Sequence, residues 1–119
     1  MGNLEIAIEN GNKKIAVTPC LEPCPIERGM RIVGGKWTGS ILWHLRGKPV
    51  RFNDLARQLG GASKKVISQR LREMEKNKLI VRKVETDRPL AVTYEITAMG
   101  RAALKFLNKL VEWVGENDL

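Results

Sequence analysis

The stretch NDLARQLGGASKKVISQRLREMEKN, residues 53–77, decides the fold. It carries two apolar periodicities parted by a glycine pair. Leu55, Ala56 and Leu59 follow Asn53, a residue type suited to cap a helix N-terminus, so a short helix is expected there. Gly60-Gly61-Ala62 reads as a tight turn, and Ser63 caps a longer helix that reaches about Asn77. In this longer helix Val66, Ile67, Leu71 and Met74 form an apolar stripe expected to dock on the helices before it. Lys64, Lys65, Ser68, Gln69 and Arg72 mostly take the other directions, towards solvent.

Upstream, Pro25 suits the first turn of a helix, with Ile26, Met30 and Val33 at helical spacing and Gly34-Gly35 ending it. A second helix is expected from about Lys36 to Leu45, with Trp37, Ile41, Leu42 and Leu45 on one side, before Gly47-Lys48-Pro49 breaks it. Downstream, Leu79–Val84 and Ala91–Ile96 read as two strands joined by the polar tip 85–89. Thr97 caps a last helix to about Gly115. Helix, glycine turn, helix and hairpin is the layout of a winged helix-turn-helix. The fold class expected is therefore α+β and mostly helical, with a two-stranded wing and a C-terminal dimerisation helix, over residues 23–119. Residues 1–22 read as an N-terminal arm. Its Asn10-Gly11 pair, between 4–8 and 13–17, predicts a small β-hairpin, and a connector with three prolines follows.

The chain of 119 residues is long enough for one domain. Its apolar runs do not exceed three residues, which rules out a membrane-spanning helix. No basic segment followed by an apolar stretch opens the chain, so a cytoplasmic location is expected. The formal net charge is +8. From Lys36 to Arg88 there are 14 Lys and Arg against 5 Asp and Glu, so the excess lies in this middle segment. Such clustering favours a polyanion, nucleic acid above all; the alternative is a generally basic, solvated surface.

The residue types on the longer helix fit that partner. Ser68 and Gln69 can hydrogen-bond base edges, while Lys64, Lys65 and Arg72 can meet phosphates or guanine. They lie in the first half of the helix, the end that usually enters the major groove of double-stranded DNA. In the hairpin, Lys83 and Arg82 suit phosphates, and Arg88 at the tip suits a narrow minor groove. Arg70 has two readings, a contact to DNA or a structural partner for Glu73 or Glu75. Trp37 and Phe52 read as core, whereas Trp43 lies off the main stripe, suited to a subunit contact or a small pocket.

Cys20, Cys24 and His44 are too few soft ligands for a structural zinc site, and no metal or cofactor is expected. An enzyme using Cys24 as nucleophile lacks a supporting base and carboxylate nearby in sequence, so the chain is not expected to be an enzyme. The competing binding function is a winged-helix interaction module whose basic face meets an acidic protein. In the last helix, apolar residues occupy most of the circumference, which calls for two partners: its own domain and a second subunit. Phe106, Leu107, Leu110, Val111 and Val114 are the expected dimerisation residues. The alternative cover is the N-terminal hairpin of the same chain.

Cys24-Pro25-Ile26-Glu27, Gly35-Lys36-Trp37, Ile41-Leu42, Arg51-Phe52-Asn53-Asp54-Leu55, Ser68-Gln69-Arg70-Leu71, Pro89, Val92-Thr93-Tyr94 and Thr97-Ala98-Met99-Gly100 occur in an order that resembles HxlR-type transcriptional regulators. The resemblance covers about residues 23–115. It implies a dimeric winged-helix DNA-binding protein, joined through the first and last helices and responding to reactive electrophiles or oxidants. It places the family's sensing cysteine at Cys24. The residues agree in part: a thiolate at a helix start is favoured by the helix dipole and by Arg28, and opposed by Glu27. The alternative is a small residue packing an interface. Ala62, Leu90 and residues 1–18 depart from the family pattern.

Overall fold

The computed structural model describes residues 24–85 and 91–119. The expected N-terminal hairpin, Cys20 and Arg88 lie outside them. The elements are α1 (Pro25–Val33), α2 (Thr38–Leu45), β1 (Val50–Arg51), α3 (Phe52–Gln58), α4 (Lys64–Lys76), β2 (Ile80–Glu85), β3 (Ala91–Ile96) and α5 (Ala98–Glu116). This is the winged helix-turn-helix layout, with α3 and α4 as the helix pair and β2–β3 as the wing.

Local signals account for most of the boundaries. Pro25 opens α1 because its missing N–H is one that a first turn leaves unbonded. At α4 the Ser63 hydroxyl accepts the Val66 N–H at 3.1 Å. At α5 the Thr97 hydroxyl accepts the Gly100 N–H at 2.9 Å.

Two helix starts depart from expectation. The second helix starts at Thr38, because Gly35 and Trp37 adopt left-handed backbone, at φ +87° and +82°, that no helix can include. The third starts at Phe52 with Arg51 as the cap, so Asn53 lies inside the first turn and caps nothing. The cause is a strand that periodicity did not reveal. Val50 and Arg51 pair antiparallel with Tyr94 and Thr93, which holds the backbone extended up to the first helical residue. The sheet is thus three-stranded, in the order β1-β3-β2. The wing itself pairs in register from Ile80↔Ile96 to Glu85↔Ala91.

The core lies between α2, α3, α4 and the base of the wing. Ile41, Leu42, Leu45, Leu55, Ile67, Leu71, Met74, Leu79 and Ile80 are fully buried, and Trp37 and Phe52 pack against them. Val66 leaves the expected stripe and is 39% exposed. It sits four and seven residues before Arg70 and Glu73, and so shares their flank rather than that of Ile67, Leu71 and Met74. Among the described residues, no helix is long and apolar enough to cross a membrane.

One backbone approach ties these pieces together. The Leu79 carbonyl, between α4 and β2, accepts the Thr97 N–H at 3.0 Å. The Thr97 hydroxyl proton also lies within reach of Lys78 O at 2.8 Å and Leu79 O at 2.9 Å. Gly100 completes the junction: a Cβ there would fall 2.2 Å from the Leu79 oxygen and 2.8 Å from Ile96 Cγ1. Gly100→Ala should therefore destabilise the protein by at least ~1–3 kcal/mol through overpacking, against alanine's helix preference. Gly115→Ala, with nothing within 4 Å of its added Cβ, should be neutral or stabilise by up to ~1 kcal/mol. Thermal or urea unfolding of the two variants checks the opposite signs.

Candidate nucleic-acid interface

The surface begins with α4. Ile67, Leu71 and Met74 anchor one side in the core, so the helix turns a defined face outward. At 100° per residue, Lys65, Gln69, Arg72 and Lys76 fall within a wedge of about 60° opposite that anchor. All four are exposed. Ser68 lies about 40° outside the wedge and is half-buried, and Lys64 is exposed at the first helical turn. Lys76 was missed by the sequence reading, although its place four residues after Arg72 is a signal that could have found it.

The charge on this face is not neutralised locally. Among the described residues the ion pairs are Arg57–Asp54, Arg70–Glu73, Lys83–Glu95 and Lys109–Glu112. Lys64, Lys65 and Arg72 have no carboxylate oxygen within 4.0 Å among those residues. Their attraction for an anion is therefore uncompensated at short range.

The wing contributes less directly. Lys83 Nζ lies 2.6 Å from Glu95 Oε1, on the outer face of the hairpin, with both side chains solvent-accessible. An exposed pair of this kind is worth about 0–1 kcal/mol, so a phosphate can displace the carboxylate at little cost. Arg82 stands opposite Tyr94 on the other face, beyond the buried base of the strand.

Arg70 takes its structural reading. Its Nη1 donates to Glu73 Oε1 at 2.6 Å, and the side chain is 29% exposed. Its Nε is buried without a hydrogen-bond partner among the described residues, at a cost on the order of 1–3 kcal/mol. The guanidinium lies against Gly35 in the turn between α1 and α2.

Two apolar surfaces lie away from the basic face. A groove of about 590 Å³ runs between α1 and α5, walled by Ile26, Met30, Val33, Met99, Ala102 and Phe106. Ile26 is 69% and Phe106 57% exposed, and α1 buries none of its residues fully. A hollow of about 350 Å³ lies between α2 and α5, with Trp43, His44, Leu107, Leu110 and Val111 among its walls. Trp43 carries Arg46 over its ring at 3.5 Å. Of the expected dimerisation residues, Phe106, Leu110 and Val111 are exposed, while Leu107 packs on the core and Val114 is half-buried. Trp113, 53% exposed, is a further exposed apolar side chain of α5. Cys24 is the N-cap residue of α1, half-buried, and its carbonyl accepts the Arg28 N–H at 2.8 Å.

Comparison with known proteins bears on the family and the fold. The family profile described as HxlR-like helix-turn-helix matches residues 32–118. MalR of Fusobacterium mortiferum, named as a regulatory protein, is 38% identical over 95 residues, which span 79% of this chain and 90% of that one. The solved structure of the redox regulator HypR in its reduced form superposes with a TM-score of 0.73 at 29% identity, covering 79% of this chain and 93% of HypR. The reduced form of the transcriptional regulator YodB from Bacillus subtilis gives a TM-score of 0.70 at 29% identity, over 76% and 90% of the two chains. These relatives are regulators rather than enzymes. The chain belongs to the HxlR-like helix-turn-helix family and is a transcriptional regulator of that type.

Proposed function

We propose that this regulator is a cytoplasmic protein that binds double-stranded DNA sequence-specifically as a homodimer, and that modification of Cys24 by an oxidant or electrophile changes its affinity. The observation that carries the DNA reading is the outward face of α4, where Lys65, Gln69 and Arg72 stand exposed opposite a fully buried anchor. In this reading Gln69 and Ser68 meet base edges, while Lys64, Lys65, Arg72 and Lys83 meet phosphates. Arg88, which lies outside the described residues, is the candidate for a minor-groove contact.

The dimer reading is supported by the exposed apolar side chains of α1 and α5, which water opposes and a second copy would cover. A two-fold dimer places two copies of α4 on the half-sites of a palindromic operator. Cys24 stands at the start of α1, beside the groove that this contact would fill. A group added to its sulfur would shift α1 and, with it, the spacing of the two α4 helices. The names of HypR and YodB, one a redox regulator and the other solved in a reduced form, support an oxidant as the class of effector.

Salt-controlled selection of genomic fragments tests the DNA reading, and an acidic protein captured in place of DNA would favour the interaction-module alternative. Gln69→Ala should narrow the gap between operator and unrelated DNA by ~1–3 kcal/mol. Lys65→Ala should weaken binding to all sequences and lower the salt slope by about one. Equal losses on every duplex for Gln69→Ala would defeat the base-reading role.

Sedimentation should find a dimer at micromolar concentration. Leu110→Asp or Val111→Asp should yield monomers, because a carboxylate buried without a partner is costly. For the thiol, operator binding is compared before and after a quinone or mild oxidant. Wild type and Cys20→Ser should respond and Cys24→Ser should not. Unchanged wild-type binding, with mass spectrometry confirming Cys24 modification, would leave this cysteine a packing residue.

A further inference from the structure

Two side chains reach in opposite directions between the α1–α2 turn and the helix-turn-helix pair, each over a glycine. Arg70, midway along α4, spreads its guanidinium over Gly35: Cζ, Nη1 and Nη2 each lie 3.4 Å from the point a Cβ would occupy there. Equal distances to three coplanar atoms mean that the flat face, not an N–H edge, meets the glycine. Glu73, one turn along α4, holds Nη1 and so fixes that plane. In return, Trp37 brings Cη2 of its ring to 3.9 Å from the corresponding point at Gly61, in the turn before α4. Both glycines have positive φ, +87° and +98°, and so does Trp37 at +82°. A bulky residue in left-handed backbone is strained, and it persists only where its surroundings hold it.

We propose that Arg70 and Trp37 are positioning residues that lock the end of α1 to α4, so that the angle between these two helices is set by the pair of contacts. The inference rests on the DNA-binding reading above. In that reading α1 carries part of the subunit contact and α4 reads the half-site, so their mutual angle decides whether both α4 helices of a dimer fit one operator. Neither Arg70 nor Trp37 needs to touch DNA to affect which duplex is bound.

The test compares affinity for a full operator and for a duplex carrying one half-site, using the full chain with Arg70→Lys, Arg70→Met and Trp37→Phe. Lysine keeps the charge without the plane, methionine keeps the stem without the charge, and phenylalanine shortens the ring's reach. Each should lose about tenfold or more on the full operator, and less than about twofold on the half-site, because only the linked second contact fails. Salt slopes on the half-site should stay unchanged. Wild-type behaviour of Arg70→Lys, or equal losses on both duplexes with a lower salt slope in Arg70→Met, would overturn the proposal and make Arg70 a phosphate contact.

If wild type selects no duplex at all, the DNA reading fails instead, and amide hydrogen exchange then decides the clamp. Arg70→Lys should speed exchange in residues 34–37 and the first turn of α4 while leaving α5 unchanged; unaltered exchange at both places would overturn it.

Discussion

The carbonyl of Leu79 is the point on which the architecture turns. It marks where α4 has ended and the wing begins, and it receives the backbone N–H of Thr97, where the wing has ended and α5 begins. Gly100 lets the first turn of α5 close over it, at a distance that leaves no room for a side chain. Three elements therefore meet at one polar anchor, which continues the β2–β3 pairing by one residue. Orientation of the wing relative to α4, and the direction in which α5 leaves the domain, both follow from it. The buried neighbours Leu79, Ile80 and Ile96 surround the junction with apolar packing, and polar groups bonded in such surroundings are costly to separate.

From that anchor α5 runs for 19 residues, longer than the domain it packs on can cover. Gly100, Ala103, Leu104 and Leu107 follow the helical repeat along the inner side, while Phe106, Leu110 and Trp113 follow it along another. One stripe completes the core; the other stays in water in the single chain. Together with the apolar side of α1, it marks the surface that an assembly has most to gain by burying. The basic face of α4 lies on a different side of the fold, held there by Ile67, Leu71 and Met74, so anion attraction and apolar association do not compete for the same residues.

Arg70 shows how a charged residue can be withdrawn from a basic face. Its neighbours Gln69 and Arg72 point outward, but its own angle on the helix places it over the α1–α2 turn, with Glu73 as partner. Counting cations along α4 thus overstates by one those left without a carboxylate partner among the described residues.

Local chemistry made much of this legible from the chain alone. Ser63 and Thr97 as caps, Pro25 as a helix opener, the alternation through β3 and the 3.6-residue repeats of α4 and α5 are each decided by residues within a turn or two of one another. The clustering of positive charge between Lys36 and Arg88 is likewise a property of the sequence. Together they were enough for a winged helix-turn-helix with a basic helix and an overly apolar C-terminal helix. What only the tertiary structure decided involves partners distant along the chain. Val50 and Arg51 form a strand because Tyr94 and Thr93 stand ready to pair with them, and that pairing moves the start of α3 to Phe52 and leaves Asn53 without a capping role. Trp37 is left-handed because its ring is held against the core beside Gly61, not because tryptophan prefers that backbone. Val66 is exposed and Arg70 half-sheltered for the same reason: periodicity sorts residues around a helix, but the bodies packed against that helix decide which side is dry.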